Sequence, residues 1–94
     1  MKILAVEKEI PGFKSEDFKP YLKPEAEEVL KLYQQGFIRE IYFNDEHNAV
    51  IILECETRDQ ATSLIKGLPL VENGLIEFSL TELHPYTGFS RLLL

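Results

Sequence analysis

The chain has 94 residues, with 10 Lys plus Arg against 16 Asp plus Glu and a net charge of −6. That length fits one domain over residues 1–94, and a surface of this charge repels nucleic acid and anionic membranes. Cys55 stands alone, so no internal disulfide forms, and no apolar run approaches the roughly 20 residues of a membrane helix. The opening Met1-Lys-Ile-Leu-Ala-Val6 is too short for a signal peptide, so a reduced cytoplasmic setting is the expectation.

Lys2 to Glu9 reads as a first strand, with Ile3 and Ala5 on one face and Leu4 and Val6 on the other. Ile10-Pro-Gly12 ends it. A polar connection from Phe13 to Pro20 leads to a first long helix, whose start is framed by Pro20 and Pro24. On that phasing Glu25, Glu27 and Glu28 lie near the positive end of the helix dipole, as a solvated acidic face. Leu22, Ala26, Val29, Leu30, Tyr33 and Phe37 form the expected buried stripe, and Gly36 a left-handed stop.

Phe37 to Phe43 is a second strand, with Phe37, Arg39, Ile41 and Phe43 on one face and Ile38, Glu40 and Tyr42 on the other. Asn44 to Asn48 is a turn, which makes a hairpin with the third strand, Asn48 to Cys55. Thr57-Arg-Asp-Gln60 matches a capping box for a second helix, which turns Ala61, Leu64, Ile65 and Leu68 inward and stops at Gly67 and Pro69. After a crossing from Pro69 to Gly74 comes a last strand, Leu75 to Leu83, with Ile76, Phe78 and Leu80 facing in.

This order of strand, helix, strand, strand, helix, strand is the ferredoxin-like βαββαβ pattern of the α+β class. It predicts a four-stranded antiparallel sheet with both helices on one face. The first and third strands are apolar on both faces, yet the helices form a single layer. The tail adds Phe89, Leu92, Leu93 and Leu94. The expected partner is therefore a second copy, its sheet packed on this one with those tail residues in the interface. The alternative for the tail is a frayed end.

Three stretches carry a resemblance to a known family. Leu22-Lys23 through Gly36 resembles the first helix of the muconolactone isomerase-like branch of the dimeric α/β-barrel superfamily. Gly67-Leu-Pro-Leu70 followed by Gly74-Leu-Ile-Glu-Phe78 resembles its crossing into the last strand, and Leu83-His84-Pro85 the way out of it. The resemblance implies a homodimer or ring of dimers, with a small-molecule cavity between helices and sheet. Among such proteins some isomerise an unsaturated lactone by moving a proton, with no metal or organic cofactor. Others act on aromatic polyketides or quinones as monooxygenases. No catalytic residue is carried over from the family.

Proton transfer beside a carbonyl needs a base whose pKa lies near neutrality, and an acid close by. His84, at the end of the last strand, is the catalytic candidate; its other reading is an exposed histidine that caps the strand. Tyr21, Glu28, Tyr33 and Tyr42 are the ligand-binding candidates, since a phenol on a pocket wall offers an apolar body and one directed hydroxyl. Their other reading is core-edge residues and a solvated helix face. His47 beside Asp45 and Glu46 reads as a solvated turn, so no metal site is expected. Glu7 and Arg39 read as a cross-sheet pair. The RNA-binding use of this sheet needs exposed aromatics and basic surroundings, and the third strand has no aromatic residue. A non-catalytic oligomerisation module is the reading from a different class.

Overall fold

The computed structural model describes residues 1–94. The elements are β1 (Lys2–Glu9), α1 (Ser15–Gln34), β2 (Ile38–Phe43), β3 (Ala49–Glu54), α2 (Arg58–Lys66), α3 (Pro69–Glu72) and β4 (Ile76–Leu83), then a 3-10 turn at Gly88–Leu93. The sheet is antiparallel with order β2-β3-β1-β4. The chain has the expected ferredoxin-like α+β fold, with β1 and β3 central.

The core lies between the helices and one face of the sheet. Ile3 and Ala5 of β1 meet Ile51 and Leu53 of β3, and all are at most 1% exposed. Ala61 and Ile65 of α2, Leu32 of α1 and Leu68 close over them. Fully burying a side chain such as Leu53 stabilises the fold by roughly 1.5–3 kcal/mol. The Thr57 hydroxyl caps α2 by accepting the Gln60 N–H at 3.0 Å, and Gln60 Oε1 reaches back to the Glu56 N–H at 2.8 Å. That return bond falls one residue earlier than in the usual box.

Two expectations need correction. The first helix starts at Ser15, where Asp17 Oδ2 accepts the Lys14 N–H at 2.7 Å, and it runs on through Pro20 and Pro24. The two prolines lack N–H groups, so they interrupt the hydrogen-bond ladder without ending the helix, because the packed face of α1 outweighs that loss. Its packed stripe is Phe18, Tyr21, Val29 and Leu32, while Leu22, Leu30 and Tyr33 are more than half exposed. Glu25 thus falls mid-helix beside the core, not on a solvated first turn.

In β2 a bulge between Ile38 and Glu40 shifts the register. Ile38 pairs with Leu53 and Ile41 with Ile51, so Ile38, Ile41 and Phe43 share the helix-facing side. Strict alternation had put Ile38 opposite Ile41. The opposite face of the sheet carries Leu4, Val6, Val50 and Ile52 with no element over it. The tail leaves β4 with Phe89, Leu92, Leu93 and Leu94 at 71–104% exposure.

Candidate functional site

At the other end of the helix-facing layer from Ile3 and Leu53, the packing opens into a cavity of about 460 Å³. α1 supplies Leu22, Glu25, Ala26 and Val29; β2 supplies Ile41, Tyr42 and Phe43; β1 and β3 supply Glu7 and Ala49. That volume falls in the range of small-molecule sites. Seven of its nine lining residues are hydrophobic, and the two others are carboxylic acids.

The strand register explains why the hollow lies here. Glu7 follows Ile3 and Ala5 on the same face of β1, and Ala49 is the short side chain on β3 where Ile51 and Leu53 fill space further along. Glu7 Oε1 accepts the Ala49 N–H at 3.0 Å. Glu25 Oε1 accepts the Leu70 N–H at 2.9 Å, in the first turn of α3. Each carboxyl is thereby fixed at one oxygen by a backbone amide from a separate segment.

Both acids are half-buried. Burial pushes the Glu7 carboxyl above the usual carboxylate range; the Ala49 amide pulls it back in part, while Glu9 adds to the rise and His47 opposes it. Burial likewise raises Glu25, the Leu70 amide offsets some of this, and the charges of Glu7 and Glu28 push it further. The charge of Glu7 thus reaches Glu25 across the cavity. The lining contains no Lys, Arg or His. His47 is close by: its ring stacks on Phe43 with centroids 4.0 Å apart, in a turn that holds it at φ 62°.

Of the residues expected at a site, only Tyr42 borders this cavity, and its pairing with Val50 turns its ring to the open face of the sheet. Its hydroxyl donates to Glu40 Oε1 at 2.8 Å, which raises the phenol above its ordinary value, and the ring stands 58% exposed. Tyr21 instead packs against the cluster of Leu70, Leu75 and Ile76. Tyr33 is 53% exposed, and neither it nor Glu28 lines the cavity. His84 lies by Met1, Lys2 and Glu54, at the opposite end of β1 from Glu7. Its side chain is 76% exposed and 3.7 Å from the Glu82 carboxylate. Arg39 does not pair with Glu7; its Nε donates to the Gly36 carbonyl at 2.9 Å. Cys55 is buried, and burial pushes its thiol up, away from reactive thiolate chemistry.

Both acids of the cavity fall outside the expected site: Glu7 reads from sequence as the partner of Arg39, and Glu25 as part of a solvated acidic face. Phasing α1 from Ser15 on Phe18, Tyr21 and Leu32 puts position 25 on the buried side, an acid in an apolar stripe. That was the available signal.

No helix is long and apolar enough to cross a membrane. No family profile matches the chain, and no curated protein matches it. Among solved structures it is similar to 5-chloro-2-hydroxyhydroquinone dehydrochlorinase (TftG) from Burkholderia phenoliruptrix AC1100, in complex with 2,5-dihydroxybenzoquinone. The TM-score is 0.64 at 17% identity, over 94% of this chain and 98% of that one. What the two share at that identity is the ferredoxin-like fold over nearly their whole lengths.

Proposed function

We propose that this chain is a small-molecule-binding homodimer that moves a proton on an apolar, carbonyl-bearing ligand without a cofactor. The observation that carries the reading is the apolar cavity with two half-buried carboxyl groups, each aimed by a backbone amide. Two acids whose environments resist double ionisation can divide the work. The protonated one donates to the ligand carbonyl. The ionised one takes a proton from the adjacent carbon and returns it further along the conjugated system, giving an isomer. Glu7 and Glu25 take these roles in place of His84, which does not border the cavity. The resemblance to muconolactone isomerase-like proteins supports the reaction class. TftG, a dehydrochlorinase solved with a quinone, supports the idea that this fold holds ring-sized ligands.

The dimer rests on surface area. The chain exposes 6802 Å². A folded monomer of its 10.9 kDa exposes about 5,600 Å². The excess, roughly 1,200 Å², exceeds the ~800 Å² each partner buries in a standard interface. The radius of gyration, 15.5 Å, is also above the ~12 Å of a compact chain this long. Leu4, Val6, Val50 and Ile52 on the open sheet face and Phe89, Leu92, Leu93 and Leu94 on the tail are the surfaces that a second copy covers in this reading. A cytoplasmic setting belongs to the same reading and rests on the unpaired Cys55.

The test is a β,γ-unsaturated lactone or ketone incubated with the protein in D₂O and followed by NMR. The expected result is deuterium uptake beside the carbonyl and migration of the double bond. Glu7→Gln and Glu25→Gln should each slow this by about 100-fold or more. No uptake above the protein-free rate across such substrates would contradict the catalytic role.

A second reading has its own observation. Glu25 ties α1 to α3, and Glu7 ties β1 to the start of β3. If those ties are all the two acids do, the dimer itself is the function, and the amide variants, which keep an acceptor oxygen, leave self-association unchanged and there is no isomerisation for them to slow.

A further inference from the structure

The cavity wall carries a charge pattern that restricts its ligand beyond "small and apolar". We infer that the site takes uncharged carbonyl compounds and turns away carboxylates, because its lining holds two carboxyl groups and no basic side chain. The inference rests on the proposed cavity function and narrows its substrate class.

Several observations agree. The acids enter from different elements, Glu7 from β1 and Glu25 from α1, so no single rotation removes both. Each already accepts a backbone N–H through one oxygen. An incoming carboxylate would bring more acceptors to a site whose nearest groups are acceptors, and the two N–H donors are already used. The surroundings add more acid than base. Glu9 flanks Glu7, Glu28 flanks Glu25, and His47 is the one basic group that faces Glu7. A carbonyl oxygen, by contrast, meets a donor whenever either acid holds its proton. The aromatic edge of Phe43 and the aliphatic wall of Leu22, Val29 and Ile41 suit the apolar body of such a ligand.

The test uses a matched pair of probes, methyl 4-acetylbenzoate and 4-acetylbenzoate, titrated into the protein by isothermal calorimetry at pH 7.5. The ester should bind at least ten times more tightly than the acid. Lowering the pH to 5 should narrow that ratio, since the acid probe stays ionised while Glu7 and Glu25, whose carboxyls are raised, gain protons. Glu7→Gln and Glu25→Gln should each narrow the ester-to-acid ratio several-fold, by raising affinity for the acid probe. Should a variant fail to fold, the wild-type ratio and its pH profile decide alone. An acid probe that binds as tightly as the ester overturns the inference and leaves the ligand-binding reading standing. If neither probe binds at any pH, both fall together.

Discussion

Along β1 the helix-facing side chains run Ile3, Ala5, Glu7; along β3, in the opposite direction, they run Leu53, Ile51, Ala49. At one end these side chains interlock with Ala61, Ile65 and Leu68 and exclude water. At the other, an acid and a methyl group stand where large apolar groups would be needed, and a cavity of about 460 Å³ remains. One layer of one fold is thus tightly packed at the Ile3 end and hollow, with a ligand-sized volume, at the Glu7 end. The difference comes from residue choice along two regular strands.

The contrast can be broken from the packed end first. Leu53→Ala should cost about 2–5 kcal/mol in urea denaturation, because the site is fully enclosed. Leu22→Ala at the hollow end should change stability by less than about 0.5 kcal/mol, since Leu22 is already 52% exposed. Equal losses would mean that the two ends are packed alike.

The uncovered face offers a second contrast. In the proposed dimer Ile52→Lys should weaken self-association by about 100-fold or more in sedimentation equilibrium, because the new ammonium would lie between the two sheets. An unchanged dimer would place the interface elsewhere. A smaller effect is expected where α1 ends: Gly36 sits at φ 85°, so Gly36→Ala should cost about 1–2 kcal/mol.

The gentlest probe is pH. The carboxyls of Glu7 and Glu25 are raised in the folded state, so between the unfolded and folded pKa values the native chain holds more protons than the unfolded one. Stability from these groups is therefore full at low pH and declines as pH rises from the ordinary carboxylate range through the raised values. Glu7→Gln and Glu25→Gln should flatten that decline. A steeper decline in the variants would reverse the assigned direction.

Much of the fold was legible in the sequence. The double-sided apolar strands β1 and β3, the Thr57 cap and the left-handed Gly36 each report a local rule that the tertiary structure obeys. The bulge at Ile38–Glu40 was hidden because one extra residue leaves no mark in composition, yet it turns Ile38 to the other face. The start of α1 was hidden because two prolines usually end helices, and here Phe18 and Tyr21 hold the first turns on the core. That error carried the site with it. With α1 begun at Pro24, Glu25 belonged to a charged first turn; begun at Ser15, it is an acid beside the core. None of the three tyrosines turns its ring into the cavity: Tyr21 packs on Leu70 and Leu75, Tyr33 is half exposed, and Tyr42 pairs with Val50 on the open face, because helix phase and strand register, not residue type, decide what faces inward.

The most direct test of the account is an amide NMR titration with methyl 4-acetylbenzoate. The N–H groups of Ala49 and Leu70, which hold the two carboxyls, should shift together with a single dissociation constant, while those of Ile3 and Leu53 at the packed end stay still. Shifts confined to the open sheet face or the tail, or none at all, would contradict the claim that the hollow end of the layer is the binding site.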